Sequence, residues 1–166
     1  MKKVLLIALL FFSYHIGICH AQELPNLKNV KLGKKSSYKN AEPTVLKVVD
    51  YLFQTPIDKK NKARSNAGQF LINWMNGTPD YIFYLEEKET NFFSTDSDLL
   101  LMYMAALTKY TLLHKELKTQ KELALGAISI ALPYLYQQSD RKTWSKELWQ
   151  LNDANQNHKL EVYLYQ

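Results

Sequence analysis

The run WMNGTPDY at 74–81, with Tyr84 just beyond it, gathers the side chains best suited to binding chemistry. Trp74, Tyr81 and Tyr84 each pair an apolar ring with a hydrogen-bonding tip, Asn76 both donates and accepts, and Asp80 carries a negative charge. Gly77 and Pro79 stop a helix, so these groups would meet at a junction, where a chain end presents side chains to a partner. A purely structural account is also available. It puts Trp74 in the core, makes Gly77 and Pro79 mere helix stops, and has Asp80 cap the following turn. Trp74, Asn76, Asp80, Tyr81 and Tyr84 are therefore the candidate ligand- or partner-binding residues.

Other chemistry finds less material. Metal binding needs converging histidines, cysteines or carboxylates, and beyond residue 21 only His114 and His158 remain, without an H-E-x-x-H motif or a cysteine pair. His114 and Glu116, two apart on an expected helix, would face different ways. Ser129 sits in GAISI, not in a G-x-S-x-G elbow, and a serine inside a helix ordinarily bonds a backbone carbonyl. Glu86, Glu87 and Glu89, like Asp96 and Asp98, form clusters of the kind that solvate a surface or cap a helix, and Asp50 stands alone. The five glycines are scattered singly, so no phosphate loop forms. No catalytic residue, metal or cofactor is expected from the sequence.

The elements that must position the candidates read as helices. With 166 residues, 46% of them hydrophobic and 22% charged, the chain has the make-up of one globular domain, which excludes wholesale disorder and collagen-like repeats. Val45, Val48, Val49, Leu52 and Phe53 recur at helical spacing from Pro43, which suits a first turn, until Pro56 forbids continuation. A second helix runs from about Lys60, with Ala67, Phe70, Leu71 and Trp74 on one stripe, Lys59, Lys62 and Arg64 on its outer face, and Gly77 as its C-terminal cap. Tyr81, Ile82, Phe83, Tyr84 and Leu85 prefer an extended connector, followed by a short helical turn over 86–93.

Two helices at about 97–115 and 119–137 are apolar nearly all round, which marks them as a central hairpin covered on several sides. Asp96 can cap the first, Thr119 and Glu122 form a capping box for the second, and Pro133 should kink it. A tail helix through Trp144, Leu148, Trp149 and Leu151 follows, then a short one around Leu160, Val162 and Leu164. The fold class is all-α: a single compact bundle of about five helices over 43–166.

Residues 1–21 read as a cleaved signal peptide, with Lys2 and Lys3 ahead of an apolar run over 4–18 and Cys19 and Ala21 as small residues at the cut. Acylation of Cys19 is the alternative, disfavoured by the bulk of Ile18. The only cysteine leaves with the leader, so no disulfide can form. The mature chain then carries 19 basic and 16 acidic residues, too even a balance for nucleic acid. Its base is concentrated in front: Lys28, Lys31, Lys34, Lys35 and Lys39 mark residues 22–42 as a flexible basic arm, a spacer or a contact for anionic envelope material.

The segments FLINWMNGTPDY (70–81) and LLLMYMAAL (99–107) resemble a family of small exported helical proteins of Bacteroidota bacteria, over about half of the mature chain. The resemblance implies a Gram-negative periplasmic setting and an all-helical domain, and brings no catalytic residue with it. In that setting the glycosylation-like triplet of Asn76, Gly77 and Thr78 has no meaning. The expected function is that of an exported, periplasmic or secreted, non-enzymatic domain that binds a protein or an envelope component. It would have no transmembrane segment once the leader is removed. The alternatives are a bundle holding a small ligand or lipid in an apolar cavity between the central helices, and a hydrolase whose site carries no familiar motif.

Overall fold

Two helices apolar on every side need cover on every side, and the elements before and after them supply it. The computed structural model describes residues 23–116 and 119–166, so the leader expected at 1–21 lies outside the described residues. Among these residues the chain forms α1 (Lys35–Gln54), α2 (Lys62–Gly77), α3 (Glu87–Thr90), α4 (Ser97–Leu113), α5 (Gln120–Gln138), α6 (Lys146–Gln156) and α7 (Leu160–Tyr165), and no strand. The expected all-α bundle is what forms. Its five long helices are α1, α2, α4, α5 and α6.

The α4–α5 hairpin is the most extensive packing contact, and α4 also meets α1 and α2 while α6 closes over α5. Met102, Tyr103, Ala105 and Ala106 of α4 and Ala127, Ile128, Ala131 and Leu135 of α5 are buried. The Tyr110 ring of α4 seats directly on α5 because Gly126 has no side chain: a Cβ there would meet that ring. Both anticipated caps are present. Asp96 Oδ1 accepts from Asp98 N–H at 2.7 Å. Thr119 Oγ1 accepts from Glu122 N–H at 3.2 Å while Glu122 Oε2 accepts from Thr119 N–H at 2.8 Å.

The front of the chain departs from expectation. Helix α1 begins at Lys35, so Pro43 lies inside it, where its missing N–H leaves the Lys39 carbonyl without a helical donor. Upstream, Leu24, Leu27, Val30 and Leu32 lie half-buried against the core, so the described part of the 22–42 segment packs on the domain. Five exposed lysines mask this apolar spacing in the sequence. The extra turns of α1 seat Tyr38 on Gly77, which explains that glycine by close approach, since a Cβ would meet the Tyr38 ring. Among the described residues no glycine has a positive φ, so Gly77 is the last residue of α2 and not a left-handed cap.

Arg64 is the second departure. Expected on an outer face, it is only 2% exposed. Its guanidinium donates to the carbonyls of Leu52 (2.8 Å) and Thr55 (3.1 Å), closing the C-terminus of α1, where the helix dipole favours a cation. Tyr134 O–H donates to the same Thr55 carbonyl at 2.6 Å, and burial raises its phenol above the ordinary value although Arg64 opposes the shift.

Candidate functional site

The last turn of α2 turns Trp74 fully inward, with its indole N–H donating to the Tyr38 carbonyl at 2.9 Å. Thr78 then turns the chain extended, at φ −67° and ψ 127°, with its N–H closing on the Trp74 carbonyl. From Tyr81 the connector runs without a bend to Glu86, where the backbone is still extended, at φ −71° and ψ 146°.

An extended chain points successive side chains to opposite faces, and the connector follows that rule from Tyr81 to Tyr84. Tyr81 and Phe83 face inward, their ring centroids 5.9 and 6.0 Å from that of Trp74 and 6.4 Å from each other. Ile82 and Tyr84 face outward, 70% and 54% exposed. Leu85 is exposed as well. The buried Trp74 ring and the half-buried rings on it thus hold an apolar strip in water.

Tyr81 is held a second time, by charge. Its hydroxyl donates to Glu42 Oε1 at 3.0 Å, and the Lys115 ammonium donates to Glu42 Oε2 at 2.5 Å. This ties the connector to α1 and to the end of α4. Burial first, and then Glu42, raise the Tyr81 phenol above its ordinary value, while the hydrogen bond to Glu42 raises the Lys115 ammonium.

The five candidates therefore divide. Trp74 is core, as the structural account has it, and acts only as a platform. Asn76 and Tyr81 come together on a groove of about 290 Å³ between α2 and the connector, whose walls include Ile72, Met75, Thr78 and Met104. Tyr84 lines a neighbouring shallow recess with Leu107, Thr111 and Leu123, and Ile82 borders both this recess and the groove. Asp80 is exposed and reaches Lys35, 3.5 Å away, so no cap is seen for it. Sequence reasoning passed over Ile82 and Leu85; the alternation within YIFYL was a signal for Ile82, on the same face as Tyr84, but not for Leu85.

Elsewhere, Glu89 was grouped with a solvated cluster but is 2% exposed. It accepts from Tyr165 O–H at 2.6 Å, and burial followed by this carboxylate raises the Tyr165 phenol. Ser129 bonds the Gly126 carbonyl, as a serine inside a helix does. His114 does reach Glu116, at 3.3 Å, because α4 ends at Leu113 and frees both residues from helical directions. Among the described residues no three histidine, cysteine or carboxylate groups converge as a metal ion requires. No described helix is long and apolar enough to cross a membrane.

A second apolar surface lies between α6 and α7, a groove of about 530 Å³ with Trp149, Val162 and Tyr163 exposed and Lys146, Gln150 and Asp153 at its margin. Trp149 packs on Trp144, with centroids 5.1 Å apart. No family model, curated protein or solved structure matches this chain, so the reading of its surface rests on the geometry alone.

Proposed function

We propose that this chain is an exported, non-enzymatic binding domain that holds a partner protein on the face formed by the end of α2 and the connector. The observation that carries this reading is the exposure of Ile82, Tyr84 and Leu85 on a connector whose half-buried Tyr81 and Phe83 rings rest on the buried ring of Trp74. Exposed apolar side chains on a held backbone lose little freedom when covered, which is the economy of a preformed interface. Export rests on Lys2, Lys3 and the apolar run after them. Intact mass of the protein from its own cells should show a chain beginning at Gln22, and a chain retaining Met1 or carrying lipid on Cys19 would contradict it.

The binding reading is tested by placing a photo-crosslinking phenylalanine analogue at Tyr84 in those cells, with the exposed Lys60 as the control position. A discrete adduct at position 84 and none at 60 supports it. Equal labelling at both, or none at either, contradicts it.

A second reading, a small amphiphile bound by the domain, is favoured by the α6–α7 groove, where Trp149 and Tyr163 present apolar area beside two lysines, Lys146 and Lys159. A fluorescent long-chain fatty acid should then bind saturably and lose affinity in Trp149→Ala.

A further inference from the structure

The connector exposes more than side chains. Among the described residues, no backbone N–H or C=O of residues 80–85 takes part in a hydrogen bond. Backbone groups are strong donors and acceptors that folded chains normally pair, and a straight extended run that leaves them free has the open edge of a strand. The run already alternates as a strand does, Tyr81 and Phe83 inward and Ile82 and Tyr84 outward. Beside it lies the groove walled by Ile72, Met75 and Met104, on whose margin the buried Thr78 hydroxyl has no partner.

From this juxtaposition, and resting on the binding reading above, we infer that the connector is a template for strand addition: it pairs with an extended segment of another protein, apolar at alternate positions and basic at its ends.

The backbone selects the conformation of the occupant. A helix satisfies its own N–H and C=O groups and would leave those of the connector unpaired under cover, whereas an extended segment supplies a matching ladder. The side chains select its composition, since alternate apolar residues of the incoming segment would lie beside Ile82 and Tyr84 as cross-strand neighbours.

Charge selects the partner over a second copy. Asp80 stands at one end of the run and Glu86 and Glu87 at the other, and among the described residues their ion-pair partners are Lys35 and Lys88 alone. Antiparallel pairing of two copies about Phe83 would set Asp80 of each opposite Glu86 of the other, like charge against like charge. Basic ends on a different chain meet complementary charge instead.

The test uses a synthetic peptide, Lys-Lys-Val-Thr-Val-Thr-Val-Lys-Lys, titrated into the whole protein while amide exchange is followed residue by residue. In a strand the N–H groups of successive residues point to opposite edges, so pairing must protect every second amide. The expected result is exchange slowed at least tenfold at Ile82 and Tyr84, or at Phe83 and Leu85, with the intervening amides unchanged. A peptide N-methylated at alternate residues should give no protection, and one with glutamates in place of its lysines should bind at least several-fold more weakly.

Ile82→Ser with Tyr84→Ser should weaken the peptide without altering the helical spectrum. Binding at Ile82 and Tyr84 with no alternate protection would overturn strand addition while leaving a partner surface in place. Loss of crosslinking at position 84 would instead overturn the surface itself. Absence of peptide binding, equal binding of the acidic peptide, or protection that grows with protein concentration alone would each overturn the inference, the last by making a second copy the occupant.

Discussion

The connector face and the α6–α7 groove both show apolar side chains to water, but they rest on different backbones. In the groove, Trp149 and Tyr163 project from helical backbone, the Trp149 N–H paired with the Ser145 carbonyl at 3.1 Å and the Tyr163 N–H with the Lys159 carbonyl at 2.9 Å. On the connector, Ile82 and Tyr84 project from a backbone with no such pairing, held straight because Tyr81 and Phe83 sit on Trp74. The difference teaches that exposed apolar area does not by itself define what binds. The groove can contribute side-chain contacts only, whereas the connector can also dictate the conformation of its occupant.

If the buried ring is what holds the connector, its removal should be felt most. Trp74→Ala should destabilise the domain by about 3–5 kcal/mol, because Trp74 is fully buried and the neighbouring rings lose their support. Trp149→Ala on the other face should cost about 1–2 kcal/mol, chiefly its tilted packing against Trp144. Urea denaturation of the two variants measures both, and equal losses would erase the distinction between the faces.

The same comparison can be sharpened one layer down. Leu107, buried beside Tyr84, should cost about 2–5 kcal/mol on truncation to Ala. Leu125, only half-buried, should cost less than half as much as Leu107 by the same measurement. A larger loss at Leu125 would move the weight of the fold away from the support of the connector.

Where the sequence was legible, the signal was local. Asp96 and the pair Thr119 and Glu122 cap their helices as their spacing requires, and the apolar runs of α4 and α5 form the hairpin. The extended nature of YIFYL could also be read locally, from its β-branched and aromatic content. Illegible were the groups whose partners lie far along the chain. Glu89 looks like one more surface acid until Tyr165, 76 positions away, is placed against it. Arg64 looks like an outer cation until the fold carries the end of α1 to it. Glu42 has no visible role until the fold places Tyr81 and Lys115 on either side. Among the candidates, the apolar stripe already turned Trp74 toward the core, but not legible was the bond that holds it there, which depends on Tyr38 reaching across from α1.

A smaller effect concerns pH. The phenol of Tyr81 and the ammonium of Lys115 are both raised in the folded state, so each is deprotonated more readily in the unfolded chain. Their contribution is fully present below the ordinary tyrosine value of 10.0 and is lost as pH rises through the raised values. Stability should be level from about pH 7 to 9 and fall above about pH 10. Tyr81→Phe should make that alkaline fall shallower. Melting temperatures of the parent protein and the variant across this range check it, and identical profiles would show that Tyr81 is not held as described.

The smallest effect belongs to the α6–α7 turn, where His158 has φ 57° and Lys159 N–H bonds back to the Ala154 carbonyl at 2.7 Å. Glycine occupies this left-handed geometry without the strain of a Cβ, so His158→Gly should raise stability by less than about 1 kcal/mol. Since the groove keeps its walls, fatty-acid binding should be unaffected, and a loss of binding would give the turn itself a role.

The account depends most on the connector being straight, held from below and unpaired along its backbone. Hydrogen exchange with proton NMR on the free protein at low concentration tests this directly. Amides of Ile82, Phe83, Tyr84 and Leu85 should exchange close to the rate of an unstructured peptide, while contacts between the Phe83 and Trp74 rings persist. Slow exchange at those amides would show that the backbone is already paired, and fast exchange without the ring contacts would show that nothing holds it.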